Sequence, residues 1–279
     1  MNQIDLHVHS TESDGTYTPT ELVNYALEKG LSAMALTDHD TTAGLSEAMA
    51  AAQGTSLEII PGIEFSTHYN TLDIHILGLD IQYEDTFFQE QLLSFQQERC
   101  IRNEKMCQKL REHGIGITYA QLLQDFPDAV MTRSHFAMFL LEYGYVRSPR
   151  EAFDRYIGDH APCFVPRNKV TPAYAIQLIH QVGGIAILAH PLLYHMSDAN
   201  VEKLIQELKE AGLDGIEAIY STHSPAQERQ VRAYAKKYCL KLSGGSDFHG
   251  SVKPQLDLGC GYGKLMVPDF ILEDLRKKA

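Results

Sequence analysis

The stretch DLHVHS, residues 5–10, decides how the rest of the sequence is interpreted. It is typical of a short β-strand, in which apolar Leu6 and Val8 alternate with His7 and His9. Side chains two positions apart on a strand point to the same face, so both imidazoles can reach one metal ion. Two histidines at a solvated strand end would be a simpler explanation, but four similar polar clusters follow along the chain.

The composition indicates a folded chain with a substantial core. The chain has 279 residues, of which 44% are hydrophobic. No secretory signal pattern opens it, and no apolar run approaches the ~18 residues of a membrane span. Five cysteines are scattered without a C-x-x-C pair, which argues against a disulfide framework or a structural zinc site. We therefore expect a reducing, cytoplasmic location and no membrane partner.

Charge is distributed unevenly along the chain, whose formal net charge is −12. Residues 1–90 hold fifteen acidic residues against one lysine, a net charge of −14, whereas residues 131–170 carry a net charge of +2. The difference suggests bound cations in the first region and anion recognition in the second, although ordinary variation in surface charge would also produce it. No extended basic groove is evident, so a long nucleic-acid duplex is not an expected partner.

Apolar stretches that alternate with helical patterns predict an α/β fold with largely parallel strands. Polar clusters stand close to the ends of nearly all of these stretches. All strand ends of a closed barrel face one mouth, whereas an open sheet would use mainly its switch point, so a barrel is favoured. The predicted strands are residues 4–8, 31–36, 57–60, 72–79, 185–188, 215–219 and 240–243.

One long part of the sequence lacks any convincing strand. From residue 83 to residue 165 the apolar positions follow helical spacings. We interpret this part as a helical insertion or cap. The barrel would then be built from two parts, residues 1–82 and 166–279.

The polar clusters are DLHVHS with the SDG that follows it, then TDHD, GIEFS, HILGL, AHP and SDFHG. In this order they resemble the successive motifs of the PHP (polymerase and histidinol phosphatase) family. Together they span nearly the whole chain. The resemblance implies a distorted (βα)7 barrel with two or three divalent metal ions at its strand ends, and an enzyme that hydrolyses phosphoester bonds.

The resemblance also implies a ligand set for three metal sites, in which Glu64 bridges the first two. Nitrogen and oxygen ligands of this kind suit manganese, iron or zinc. Asp38 and Asp40 are expected to orient His39 or its loop rather than to bind metal. The implied ligands are His7, His9 and Asp247 for the first site, His75 and His190 with Glu64 for the second, and Asp14, His39 and His249 for the third.

Two ions about 3.5–4 Å apart could hold a bridging hydroxide and align its attack on phosphorus. Three dications would outweigh the carboxylates of Asp14, Glu64 and Asp247, so the site would suit a dianionic phosphate. Glu64, His190 and Asp247 are accordingly the predicted catalytic residues. The proton for the leaving oxygen could come from Asp247, from a metal-bound water or from a nearby histidine.

Two segments of the insertion suggest the substrate. TRSHF, from residue 132, and FVPR, from residue 164, resemble a subfamily that includes nucleoside 3′,5′-bisphosphate phosphatases and 5′-to-3′ exonucleases of short RNA. The planar guanidinium of an arginine is well suited to binding a second phosphate. The predicted substrate contacts are Arg133, His135, Arg167 and His223, each of which could instead form a surface ion pair.

The prediction is therefore a phosphoesterase that removes the 3′-phosphate of a nucleoside 3′,5′-bisphosphate or trims short 5′-phosphorylated RNA. A phosphatase of another small phosphomonoester, such as histidinol phosphate, is the main alternative. A PHP module that binds metal without catalysis, or a C–N hydrolase, are further alternatives.

Overall fold

Eight strands form one sheet in the computed structural model of the chain, which describes residues 2–70, 72–127, 129–166 and 170–277. Their order across the sheet is β7-β6-β5-β4-β3-β2-β1-β8. The strands are β1 (Gln3–Val8), β2 (Ala33–Leu36), β3 (Glu58–Tyr69), β4 (Leu72–Leu79), β5 (Ile185–Leu188), β6 (Gly215–Tyr220), β7 (Lys241–Gly245) and β8 (Val267–Pro268).

Helices flank this sheet, and capping boxes begin four of them, at Thr18, Thr118, Thr132 and Ser224. One π-helical turn (Phe153–Ile157) and two 3₁₀ turns (Pro191–Tyr194 and Gly250–Val252) complete the set in the described ranges. The α-helices are α1 (Pro19–Glu28), α2 (Leu45–Ala52), α3 (Thr86–Glu112), α4 (Tyr119–Asp125), α5 (Arg133–Glu142), α6 (Pro149–Ala152), α7 (Pro172–Gln181), α8 (Asp198–Glu210), α9 (Pro225–Lys237) and α10 (Phe270–Arg276).

The sheet curls into a nearly closed barrel, which confirms the predicted fold. The backbone N–H of Asp247, just after β7, donates to the carbonyl oxygen of His7 in β1 (2.9 Å). Gly245 permits this approach, because a Cβ there would lie 2.4 Å from the Cβ of His7. The two ends of the sheet therefore meet beside the first predicted metal ligands.

The strands are less uniformly parallel than the sequence predicts. β1, β2 and β3 are parallel, as are β5, β6 and β7, but β4 runs antiparallel to both of its neighbours. β3 is also longer than predicted and continues to Tyr69, because its second half forms a hairpin with β4. The reversal places the start of β4, with His75, beside the carboxyl end of β5.

Two hydrophobic cores share helix α3. Its first half contributes Phe88 and Leu92 to the core between the sheet and its helices, and its second half contributes Met106 and Leu110 to a separate core. That second core joins α3, α4, α5 and the π-helical turn. The described residues between β4 and α7 thus form helices around a core of their own, while the exact boundaries 83 and 165 stay a prediction.

Candidate metal centre

The nine predicted metal ligands converge at one end of the barrel. Eight of them are buried, and His75 is partly exposed. They form four overlapping groups, within each of which the candidate ligand atoms all lie within 4.8 Å of one another. The groups are His9, Asp14, His39 and His249; His7, Glu64 and His190; His7, His9 and Asp247; and His39, Glu64 and His75.

Glu64 lies at the middle of this convergence, and its two oxygens face different histidines. Oε1 lies 2.9 Å from Nδ1 of His75 and 3.1 Å from Nε2 of His190. Oε2 lies 3.3 Å from Nε2 of His7 and 3.2 Å from Nε2 of His9. One carboxylate therefore stands between the ligands predicted for the first site and those predicted for the second.

The predicted third site lies beside the first. Oδ1 of Asp14 is 3.2 Å from Nε2 of His249 and 4.0 Å from Nε2 of His39. His9 belongs to the same group, since its Nδ1 is 3.8 Å from that oxygen. His39 also approaches Glu64 (3.2 Å), so the three predicted sites are contiguous rather than separate.

Several buried atoms in this centre lack a hydrogen-bond partner among the described residues. They include Nε2 of His7, Nε2 of His9 and Oδ1 of Asp14. Leaving buried polar atoms unpaired is costly, and native proteins avoid it unless a water or ion occupies the site. These nitrogen and oxygen atoms are therefore suited to binding divalent metal ions.

The electrostatics of this centre favour ionised carboxylates. Burial alone would raise the pKa of Glu64, but the charges of His7, His75 and His39 hold it well below its usual range. The pKa of Asp14 is lowered in the same way, mainly by His249 and His39 against the effect of burial. Both carboxylates are thus ready to bind cations at neutral pH.

Metal binding is expected to release protons from this centre. Burial alone would lower the pKa of His9, but the adjacent carboxylates of Asp247 and Glu64 raise it to about 9. An ion must displace that proton, so apparent affinity should rise about tenfold per pH unit below pH 9 for each proton displaced. Titration calorimetry in buffers of different ionisation enthalpy measures this release. Manganese binding without proton uptake by the buffer at neutral pH would contradict it.

Glu217, which the sequence analysis did not single out, supports two of the predicted ligands. Its Oε1 lies 3.0 Å from Nδ1 of His7, and its Oε2 accepts a hydrogen bond from the backbone N–H of His190 (2.8 Å). A carboxylate on the far nitrogen of a metal-binding histidine fixes the tautomer and orientation of the ring. An acidic residue inside the otherwise apolar strand β6 was the signal in the sequence.

Replacing Glu217 by glutamine should weaken metal binding without removing a ligand. Loss of such a supporting carboxylate typically costs about 10- to 100-fold in metal affinity or activity. Glu210→Gln, an exposed change at the end of α8, is the matched control and should bind metal normally. The measurement is the manganese dissociation constant of each variant. Equal dissociation constants would show that Glu217 does not support metal binding.

Asp247 is held by two further residues. Its Oδ2 accepts hydrogen bonds from the hydroxyl of Tyr220 and from Nζ of Lys253, both at 2.7 Å. Burial alone would raise its pKa, but Lys253 and the neighbouring histidines hold it well below its usual range. With Oδ2 so occupied, Oδ1 is the oxygen that faces His7 and His9.

Asp38 contacts the loop after β1, whereas Asp40 contacts β3 and α3, and neither aspartate belongs to the four ligand groups. Asp38 accepts hydrogen bonds from the backbone N–H and the hydroxyl of Ser10 (2.8 and 2.7 Å) and from the hydroxyl of Ser13 (2.5 Å). Asp40 accepts from the backbone N–H of Ser66 (3.1 Å) and forms an ion pair with buried Arg99. The first aspartate thereby fixes the loop that carries Asp14.

Three residues of this region adopt left-handed backbone conformations that only glycine takes easily. The φ angles are +54° at Asp40, +25° at His190 and +57° at Asp247. Such conformations cost about 1–3 kcal/mol each and persist where the surrounding structure enforces them, commonly at functional sites. These three strained residues therefore all lie where the strand ends converge.

Arg133, the first of the predicted substrate contacts, begins helix α5 and contacts both β4 and the segment that follows the π-helical turn. Its guanidinium donates to Oδ2 of Asp73 (2.9 Å) and to Oδ1 of Asp159 (2.6 Å). It also lies over the rings of Phe153 and Phe164. The side chain is therefore positioned from both sides, close to His75.

The other predicted substrate contacts have different surroundings. His135 is buried and caps α5, since its Nδ1 accepts from the backbone N–H of Thr132 (2.9 Å). His223 lies 3.0 Å from the carbonyl oxygen of Ala218 through Nδ1, and its buried Nε2 has no partner in the described part of the chain. Arg167 lies outside the described residues. Their roles in substrate binding stay predictions.

Two cavities adjoin the metal centre. The smaller, of about 160 Å³, is lined by Arg99, Arg102 and Arg133 together with His39 and His75, and we call it the arginine pocket. The sequence analysis missed Arg99 and Arg102, which α3 buries beside the centre. The larger, of about 960 Å³, begins at His75 and His190, and we call it the outer cavity.

Comparison with known sequences fits this geometry. The sequence model of the PHP domain matches residues 5–159, which include the first six predicted ligands. The chain belongs to the PHP family. The family assignment made from the motifs is thereby confirmed.

Two PHP relatives match most of this chain. One, a 5′-3′ exoribonuclease of Haemophilus influenzae, is 39% identical over 248 residues, covering 88% of this chain and 89% of the relative. The other, a 3′,5′-nucleoside bisphosphate phosphatase of Chromobacterium violaceum, is 34% identical over 261 residues, covering 93% of this chain and 91% of the relative. The predicted class, a metal-dependent phosphoric ester hydrolase, is confirmed.

A solved structure of an amidohydrolase from Chromobacterium violaceum, with bound sulfate and no metal, shares the PHP barrel seen here. It superposes with a TM-score of 0.89 at 32% identity and covers 98% of this chain and 95% of its own. Within the described ranges, every helix is too short or too polar to traverse a bilayer.

Proposed function

We propose that this PHP enzyme removes the 3′-phosphate of nucleoside 3′,5′-bisphosphates and also trims short 5′-phosphorylated RNA. The observation that carries the proposal is the arginine pocket, which places Arg99, Arg102 and Arg133 directly beside His39 and His75. The bisphosphate phosphatase and the exoribonuclease named above support the same two substrates. Both substrates present one phosphate for hydrolysis and another for recognition.

The predicted ligands would hold two or three divalent ions, for which manganese, iron and zinc are all suitable. Bound ions would supply an activated water and positive charge for the phosphoryl oxygens. Glu64 would fix the spacing of the first two positions, because its oxygens face different histidines. Asp247 would orient its position through Oδ1, since Tyr220 and Lys253 hold its other oxygen.

The second phosphate would bind in the arginine pocket. A volume of about 160 Å³ is well below the ~300 Å³ at which pockets for drug-sized ligands begin, so it suits a phosphate group rather than a nucleotide. Arg133 offers a planar guanidinium held by Asp73 and Asp159. Nε of Arg99 is buried without a hydrogen-bond partner in the described residues, which leaves one more donor near the pocket.

A substrate panel tests the proposal. With manganese added, we expect release of phosphate from adenosine 3′,5′-bisphosphate and of nucleotides from a short 5′-phosphorylated RNA, and little from histidinol phosphate. Preference for histidinol phosphate would identify a phosphatase of another small monoester. No turnover of any substrate by the metal-loaded protein would favour a non-catalytic module, and hydrolysis of amides alone would indicate a C–N hydrolase. A cytoplasmic location also stays a prediction.

A further inference from the structure

The outer cavity extends well beyond the metal centre. Its inner end is lined by His75 and His190, and its far end by Asn200 and Lys203 of helix α8. Tyr69, at the end of β3, and the segment that follows the π-helical turn also line the cavity.

The volume of this cavity exceeds what one nucleotide needs. Pockets for drug-sized ligands span about 300–1,000 Å³, and a mononucleotide is a small member of that class. At about 960 Å³ the outer cavity lies at the top of this range. A nucleoside bound against His75 and His190 would leave the far end unfilled.

The far end carries groups that suit a phosphodiester backbone. Lys203 makes one contact with Glu207 at a long 3.8 Å, and the other oxygen of Glu207 accepts from the hydroxyl of Tyr69 (2.7 Å). Such a surface ion pair holds a lysine only weakly, so its charge stays available to a ligand. His160, His195 and Asn200 add hydrogen-bonding groups to the lining of the cavity.

The carboxylates that line the cavity are partly compensated by arginine. Asp73 and Asp159 both pair with Arg133, and Asp154 is 3.6 Å from Nε of Arg150 at the surface. All three carboxylates lie on elements other than α8, which carries Lys203. Apolar Leu72, Leu193 and Met196 also line the cavity and could contact a base.

We propose that the far end of the outer cavity, around Lys203 and Asn200, binds nucleotides that follow the scissile phosphate in a short oligonucleotide. This inference rests on the proposed function. It places a terminal phosphate in the arginine pocket, the reacting phosphate at the metal centre and the rest of the chain in the outer cavity. The site would then accommodate short RNA as a substrate, and not only the bisphosphate.

A length series tests this subsite in the manganese-loaded protein. The substrates are adenosine 3′,5′-bisphosphate and 5′-phosphorylated dimers, trimers and tetramers of RNA. We expect KM to fall from bisphosphate to trimer and then level off, as the cavity fills. Equal KM values for all lengths would overturn the subsite while leaving the phosphoesterase intact, whereas no turnover at any length would refute the proposed function itself.

The variant Lys203→Glu sharpens the test. The ratio of kcat/KM for the tetramer to that for the bisphosphate should fall about tenfold, and the salt dependence of tetramer binding should weaken by about 0.7 in log–log slope. Lys236→Glu, an exposed change on α9 outside both cavities, makes the same change of charge and should leave the ratio unaltered. Equal ratios in the two variants would overturn the role of Lys203.

Discussion

Replacing Glu64 by glutamine is expected to abolish turnover. Glutamine keeps the shape of the side chain but carries no negative charge and offers one oxygen instead of two. Because Oε1 faces His75 and His190 while Oε2 faces His7 and His9, no rotamer of an amide can serve both sides. We expect kcat to fall by more than the ~100-fold that loss of a supporting residue costs.

The measurement combines kcat with metal content. Glu64→Gln should retain fewer manganese ions per chain than the natural protein after the same loading. Glu58→Gln is the matched control, since Glu58 begins the same strand but is exposed and pairs with Arg276. Near-normal turnover in Glu64→Gln would contradict the bridging role, whatever its metal content.

Replacing Arg133 by alanine is expected to impair substrates that carry a second phosphate. Hydrogen bonds to charged groups contribute about 1.5–3 kcal/mol, which corresponds to a loss of roughly 10- to 150-fold in kcat/KM for the bisphosphate. The change also leaves Asp73 and Asp159 without their cation, and these carboxylates would repel the same phosphate. A simple monoester such as 3′-AMP, which lacks that phosphate, should be affected far less.

The ratio of kcat/KM for bisphosphate and monoester separates the possible roles of Arg133. Equal losses on both substrates would indicate a catalytic or structural role instead. Arg133→Lys keeps the charge without the planar fork and should recover part of the preference. Arg150→Ala is the control, because Arg150 is exposed and pairs only with Asp154 in the described structure.

The barrel could be predicted from local patterns in the sequence, whereas the full ligand set came from the resemblance to the PHP motifs. His7 and His9 alternate with Leu6 and Val8, so the strand and the shared direction of the two imidazoles could be inferred together. The reversed direction of β4 could not be inferred, since an apolar run such as residues 72–79 has the same pattern in either orientation. β8, with two residues, was too short to produce a periodic signal.

The residues that support the ligands were harder to predict because they are distant in sequence. Glu217 lies 210 positions from His7 and meets it only when the barrel curls. Arg99 lies on α3 among polar residues, and nothing in the neighbouring sequence predicts that it is buried against Asp40. Asp38 was expected to orient His39 or its loop, but it accepts hydrogen bonds from Ser10 and Ser13, which are distant from it in sequence.

Helix α3 has a consequence for how such enzymes could diversify. Because Phe88 and Leu92 belong to the core between the sheet and its helices while Met106 and Leu110 belong to the second core, the two units are not modular. Excising the whole helix would expose the core between the sheet and its helices. Replacement of the second core should therefore be tolerated only downstream of the midpoint of α3, and we expect chimaeras joined near Arg99 to fold and chimaeras joined at Thr86 to aggregate.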